Sequence, residues 1–382
     1  YRVPLRNAVR TAADKYTLNG TSTVPTAPEP PTATRGDTTA YVSWIATSGN
    51  GSPVTGYTVT STPGAKTCTT TGALSCTITG LTNGTAYTFT VVATNTIGDS
   101  PASDPSTTVT PAGVPAQPAK PTAVRGDQSA TITWTAPSTN GAPITGYTVT
   151  STPGAKTCTT TGALSCTITG LTNGTAYTFT VVATNTIGDS PASDPSTTVT
   201  PAGVPTQPAK PTAVRGDQSA TVTWAKPSGN GSPVTGYTIT ATPGGATKTV
   251  TDADTLTTSI GGLSNGTGYT FTVTATNAVG DSHPSVASRE VTPAGVPTQV
   301  KKPSARVAKG HLVVTWRAPH ANGSPVSRYR IDINKGKDMT VGRTTRKATF
   351  RHLGPGRYTV RVIAINAVGA STPSARISIR IR

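Results

Sequence analysis

Four tryptophans frame this chain: Trp44, Trp134, Trp224 and Trp316 stand 90, 90 and 92 residues apart. A period of that size points to four copies of one folding unit, not one large core. Each Trp closes a short alternating run, such as Ala-Thr-Ile-Thr-Trp from Ala130 to Trp134. Thirteen residues on, a tyrosine (Tyr57, Tyr147, Tyr237, Tyr329) opens a second alternating run. A third landmark, Leu-Thr-Asn-Gly-Thr-Ala-Tyr at Leu81 to Tyr87, is echoed at Leu171 to Tyr177 and Leu263 to Tyr269, and one residue shorter at Leu353 to Tyr358. Residues Thr55 to Pro115 and Thr145 to Pro205 are identical, the mark of a duplication. Short runs of period two, broken by Gly, Pro and Asn, describe half-buried strands joined by turns. About seven such strands per unit imply two antiparallel sheets packed face to face.

Each unit resembles a fibronectin type III domain, with a Trp on strand B, a Tyr on strand C and the Leu…Tyr corner before strand F. The resemblance runs from residue 24 to 382. It implies an all-β chain of four tandem, immunoglobulin-like, seven-stranded β-sandwiches in an elongated array, with boundaries at 24–112, 113–202, 203–294 and 295–382. Proline-rich joints such as Thr110 to Pro121 favour an extended, semi-rigid connection. At roughly 30–40 Å per sandwich, four in line would span on the order of 120–160 Å. Residues 1–23 lie outside the repeat and read as the tail of an upstream region, in which Asn7 to Tyr16 can form a short helix. The chain starts at Tyr1 without an apolar leader, so it reads as processed or as part of a longer protein. No apolar run approaches the ~20 residues that span a bilayer, so no transmembrane segment is expected. The Thr-rich, Cys-paired form of the repeat is similar to domains of secreted bacterial proteins.

The four cysteines fall in two pairs, Cys68 with Cys76 and Cys158 with Cys166, each flanking Thr-Thr-Thr-Gly-Ala-Leu-Ser. That segment reads as a turn between two short strands, and bridging it would stabilise by roughly 2–3 kcal/mol in the chain-entropy model. Metal binding is the weaker reading, because the spacing is not Cys-x-x-Cys and no His lies nearby. The third unit has Lys248 and Thr258 where the cysteines would stand, so the bridge is an addition to the fold. Paired cysteines imply an oxidising, extracellular compartment.

Catalysis is not expected, and neither is a cofactor. Asp99, Asp104, Asp189, Asp194 and Asp281 sit in or just past Gly-Asp-Ser turns, where Asp caps local backbone groups. The histidines (His283, His311, His320, His352) share no metal-ligand spacing and accompany no nucleophile motif. Of the nineteen aromatics, only Tyr1, Tyr16 and Tyr41 fall outside inward strand positions, too few for a sugar-stacking platform. Arg-Gly-Asp occurs at Arg35 to Asp37, Arg125 to Asp127 and Arg215 to Asp217. In integrin-binding members of the family that tripeptide lies between strands F and G. Here it falls between A and B, and the fourth unit has Lys309-Gly310-His311 there, which suits a plain Gly turn. Asn-Gly-Thr and Asn-Gly-Ser match the glycosylation pattern, but Asn-Gly is first a turn signal.

Charge separates the fourth unit from the rest. Residues 301–382 carry 18 Lys/Arg against 2 Asp/Glu, whereas residues 1–300 carry 14 against 13. Alternation predicts that Arg328 and Arg330 on strand C, Arg357 and Arg361 on strand F, and Arg376, Arg380 and Arg382 on strand G all point outward. Strands C, F and G share one sheet in this fold, so these seven arginines decorate one face or its rim. The first unit carries Thr58, Thr60, Thr88 and Thr90 at outward positions of strands C and F. Such a row repels itself unless salt or an anionic partner screens it. The expected role is an extracellular spacer in which the basic unit captures an anionic cell-wall polymer or acidic polysaccharide, with no sequence-specific nucleic-acid reading for want of interleaved aromatics. A basic surface kept for solubility, or docked within the parent protein, is the plainer reading. Two others remain: the accessory stalk of a secreted hydrolase or protease with an upstream catalytic domain, and an adhesin using its F–G loops (Asn95 to Ser100 and equivalents).

Overall fold

The computed structural model describes residues 21–382, which are all-β apart from turns and extended segments. The expected N-terminal tail, its helix, Tyr1 and Tyr16 lie outside the described residues, save for 21–23. The first sandwich holds β1 (Thr32–Arg35), β2 (Thr39–Ser43), β3 (Gly56–Thr62), β4 (Thr67–Thr70), β5 (Ser75–Thr79) and β6 (Thr88–Thr94). The second holds β7 (Thr122–Gly126), β8 (Ser129–Thr133), β9 (Ile144–Thr152), β10 (Thr157–Thr160), β11 (Ser165–Thr169) and β12 (Thr178–Asn185). The third holds β13 (Thr212–Arg215), β14 (Ser219–Thr223), β15 (Val234–Thr242), β16 (Thr247–Val250), β17 (Thr257–Gly261) and β18 (Thr270–Asn277). The fourth holds β19 (Ser304–Ala308), β20 (His311–Thr315), β21 (Arg328–Ile333), β22 (Met339–Gly342), β23 (Lys347–Phe350), β24 (Gly356–Ile365) and β25 (Ile377–Ile381).

In the first sandwich β1-β2-β5 form one sheet and β4-β3-β6 the other; the next two repeat this order. Alternation does the work: on β3, Tyr57, Val59 and Ser61 are buried while Thr58 and Thr60 are not. Trp44 packs its ring 5.4 Å from that of Tyr57, and the same pair recurs as Trp134–Tyr147, Trp224–Tyr237 and Trp316–Tyr329. Phe89, Val91 and Ala93 of β6, in the same sheet as β3, pack against Ala40, Val42 and Ile78 of the facing sheet.

The seventh strand is where the sequence expectation fails for the first three sandwiches. Each has six regular strands, and the edge beside β6, β12 or β18 is lined instead by a segment of period three. In the first, Ser100, Ser103 and Ser106 donate their backbone N–H to the carbonyls of Ala93, Val91 and Phe89. Their hydroxyls accept from the N–H of those same three residues, at 3.0, 2.9 and 3.1 Å. A side-chain oxygen thus replaces the carbonyl that a strand would offer, and the chain advances three residues per contact, as a polyproline-like helix does. Pro101 and Pro105 suit such a segment, and it leaves no free ladder for another chain to pair with. In the fourth sandwich the series runs Ser371, Ser374, Ile377. Ile377 has no hydroxyl to offer, and from there the chain pairs through its backbone as β25, giving the four-stranded sheet β22-β21-β24-β25.

The cysteines are disulfide-bonded, Cys68 to Cys76 and Cys158 to Cys166. The expected turn between them is a crossing: Cys68 lies on β4 opposite Val59, and Cys76 on β5 opposite Val42. Each bridge therefore staples one sheet to the other. Lys248 and Thr258 occupy the matching places on β16 and β17.

The chain divides into two compact units. One runs to Val124 and adds Ala130–Thr169 and Tyr177–Val199; the other joins Arg125–Ser129 and Gly170–Ala176 to Thr200–Arg382.

Candidate anion-binding sheet

The β22-β21-β24-β25 sheet buries one face against Leu312, Val314, Trp316 and Phe350, through Tyr329, Ile331, Tyr358, Val360, Val362 and Ile377. The pleat sends the intervening residues outward. Arg328, Arg330, Arg357, Arg376, Arg380 and Arg382 are exposed and Arg361 is half-buried. Register fixes their neighbours: Arg330 lies opposite Ile363, Asp332 opposite Arg361, and Arg357 opposite Arg380. Arg376 directly precedes β25 and lines an open hollow of about 330 Å³ with Arg361, Thr359, Asn334, Ile333, Asp332 and Asp338. The structure thus gathers all seven sequence-predicted arginines on one flank or its rim.

One carboxylate compensates them directly. Arg330 Nε donates to Asp332 Oδ1 at 2.7 Å, and that bond raises the guanidinium above its ordinary pKa. Among the described residues none of the other six lies within ion-pair distance of a carboxylate. Asp338 is engaged elsewhere, accepting from the Ile333 N–H at 3.0 Å. The Arg361 Nε is buried and has no hydrogen-bond partner. Aligning Tyr57 with Tyr329 and Tyr87 with Tyr358, Arg330, Asp332, Thr359 and Arg361 replace Thr58, Thr60, Thr88 and Thr90.

Sequence reasoning did not place the remaining basic residues. Arg306 and Lys347 stand on β19 and β23 of the opposite sheet, so this sandwich is basic on both faces. Arg346 stacks over the Tyr329 ring at 4.9 Å, and its Nη1 donates to the Arg343 and Thr345 carbonyls. Burial raises the Tyr329 hydroxyl pKa, an effect the Arg346 charge opposes.

The Arg-Gly-Asp segments do different work. Asn83 Nδ2 donates both to Asp37 Oδ1 (2.6 Å) and to Asn140 Oδ1 of the next sandwich (2.8 Å). Its Oδ1 accepts from the Thr38 N–H, and Asn140 Nδ2 donates to the Val114 carbonyl. Gly113 sits inside this network, where a Cβ would come within 2.6 Å of Asp37 Oδ1 and Asn140 Nδ2. The same clamp recurs as Asp127–Asn173–Asn230 and Asp217–Asn265–Asn322. Asp127 and Asn173 therefore group with the third sandwich, which accounts for where the chain divides. The fourth sandwich has neither acid nor amide there, but Lys309 and a Gly-Pro-Gly corner. Asn83, Asn173 and Asn265, the residues of the Asn-Gly-Thr sites, have their amides committed to the clamp. The Asp residues after strand F cap their turns: Asp99 Oδ1 accepts from the Thr94 hydroxyl at 2.6 Å, as do Asp189 and Asp281 from Thr184 and Thr276.

The fibronectin type III domain family matches at residues 26–109, 116–199, 206–291 and 297–380. The chain belongs to that family. This fibronectin type III array is 28% identical over 322 residues, 79% of its length, to fibronectin type-III domain-containing protein 3A of Mus musculus. It is 34% identical over 270 residues, 65% of its length, to exoglucanase B of Cellulomonas fimi. The match covers 27% of the first relative and 24% of the second, about a quarter of each. Among solved structures, the chicken CNTN1 FN1-FN3 domains match 71% of the array and 100% of that chain at 24% identity, with a TM-score of 0.29.

Proposed function

We propose that the array is a non-catalytic extracellular spacer whose fourth sandwich binds an anionic polymer at a cell surface. One observation carries the reading: seven arginines share one flank of a sheet, and a single carboxylate pairs with them. Repulsion among them is relieved when a polyanion arrives and its counterions leave, which makes such binding strongly salt-dependent. The other three sandwiches present threonines where Arg330 and Arg361 stand, and act as the spacer. Disulfides in the first two support an oxidising, extracellular setting of the bacterial secreted type. The test is titration of the full chain with a single-stranded polyanion. With about five contacts, affinity falls on the order of 100-fold between 50 and 200 mM salt. A chain with Arg328, Arg357, Arg361, Arg376 and Arg380 changed to Gln loses that dependence; unchanged binding by it removes the proposal.

The similarity to exoglucanase B favours a compatible second reading, the accessory stalk of a secreted polysaccharide hydrolase. The adhesin reading has less support. Asn95 of the F–G loop spends its Nδ2 on the Thr23 and Gly49 carbonyls and its Oδ1 on the Ile97 and Gly98 N–H groups, so the loop holds the entering chain.

A further inference from the structure

The arginines on β24 and β25 are not evenly spread; they fall in rows. Arg357 lies opposite Arg380, Thr359 opposite Ser378, and Val360 opposite Ile377. The same register carried one residue on sets Arg376 beside Arg361, and both line the hollow beside Thr359. Read along the two strands, the outward face is therefore an arginine pair, a hydroxyl pair and a second arginine pair. Same-face residues two apart are separated by about 6.7 Å, so the arginine pairs stand about 13 Å apart with the hydroxyls midway.

Cross-strand neighbours lie only about 5 Å apart, and like charges directly opposite destabilise a sheet. An oxyanion held between the two members of a pair removes that penalty. Phosphate suits the place, since its oxygens can accept from two planar guanidiniums at once. The partnerless Arg361 Nε is an N–H that a ligand oxygen would satisfy. Both acids of the hollow already have donors, Asp332 from Arg330 and Asp338 from the Ile333 backbone. The outward positions of β21, β24 and β25 hold Arg, Asp, Thr, Ser and Ile and no aromatic ring, so nothing there stacks on a base or a sugar.

We infer that the ligand is a linear polyol phosphate: a polymer of phosphodiesters joined by hydroxylated, non-aromatic spacers, lying along β24 and β25. Phosphates sit at Arg357/Arg380 and Arg361/Arg376, and spacer hydroxyls meet Thr359 and Ser378. This rests on the proposed polyanion binding and narrows it to one chemistry.

The experiment titrates the full chain at fixed salt with three probes of matched charge: poly(glycerol phosphate), poly-L-glutamate and a single-stranded oligonucleotide. Poly(glycerol phosphate) binds at least tenfold more tightly than either of the others. Thr359→Ala with Ser378→Ala lowers its affinity several-fold and leaves poly-L-glutamate binding unchanged. Arg361→Gln with Arg376→Gln, and separately Arg357→Gln with Arg380→Gln, each reduce the slope of log affinity against log salt by about 1.4, two contacts' worth. All these side chains lie off the core, and melting curves coincident with the parent's verify the fold. Equal affinity for the three probes, or indifference to the hydroxyl variant, overturns the inference while leaving general polyanion capture standing. Binding to none of them sinks both.

Discussion

Gly113→Ala should open the joint between the first two sandwiches. The φ of Gly113 is not in the left-handed region, so the backbone itself tolerates alanine. Space does not, because the new Cβ would stand 2.6 Å from both Asp37 Oδ1 and Asn140 Nδ2. Both side chains are held in turn: Asp37 Oδ1 by Asn83 at 2.6 Å, Asn140 Nδ2 by the Val114 carbonyl at 3.0 Å, and Asn140 Oδ1 by Asn83 at 2.8 Å. Relieving the clash breaks about two of these bonds, one of them charge-assisted, at roughly 1 kcal/mol each where water can compensate. A gain of about 0.5 kcal/mol from stiffening the unfolded chain opposes this. The net loosening is about 1.5 kcal/mol, or about 12-fold in an opening equilibrium. The reporters are the amides of Ala112 and residue 113, bonded to the Gly36 and Asn140 carbonyls at 3.1 and 2.9 Å. Native-state hydrogen exchange at these two amides should quicken about 12-fold while Phe89 and Val91 stay unchanged. Exchange within twofold of the parent would show that proline stiffness alone holds the joint, and the clamp reasoning would be wrong.

Glutamate in place of Asp37, Asp127 and Asp217 lengthens the acid by one methylene and should likewise speed exchange at the joints; attachment to integrin-bearing cells should stay the same. Reduction of the disulfides should lower the stability of the first and second sandwiches by roughly 2–3 kcal/mol each and leave the third and fourth unaffected, as resolved by denaturation followed domain by domain. Ser103→Ala leaves the buried Val91 N–H without its acceptor and should cost about 1–3 kcal/mol in the first sandwich, read from a denaturant midpoint.

The fold was legible because two signals agreed. Period-two patterning set which residues face inward, and the Trp and Tyr landmarks set the frame in which to count. That combination assigned Phe350 to the inward place of Ile78, and the register bears it out: Phe350 faces Leu312 as Ile78 faces Ala40. The missing seventh strand was hidden for a physical reason. Ser-x-x-Ser-x-x-Ser has a period of three, which fits neither strand nor helix, and its meaning depends on each hydroxyl standing in for a carbonyl. The inter-sheet path of the disulfide was hidden because strands adjacent in sequence, β4 and β5, belong to different sheets. A hairpin and a sheet crossing look alike from within one segment.

The arginine face and the clamp show two different limits on reading a site from sequence. The arginines lie on strands or, for Arg376 and Arg382, one residue beyond a strand end, where parity alone decides the face, so all seven could be assigned from the sequence. The clamp joins an A–B turn, an E–F turn and a B–C turn of the next sandwich, with Asp37, Asn83 and Asn140 separated by 46 and 57 positions. No periodicity relates them. What the sequence did hold was co-occurrence: each of the three sandwiches carrying Asp and Asn at these turns is followed by an Asn-Gly turn in the next, at Asn140, Asn230 and Asn322. Arg-Gly-Asp draws attention as a tripeptide, yet its aspartate is spoken for by an asparagine from a distant turn. The arginine of that tripeptide stays exposed and takes no part in the network. Asp37 is exposed too but gives its Oδ1 to Asn83, so a receptor reading the tripeptide would compete with the clamp for that oxygen.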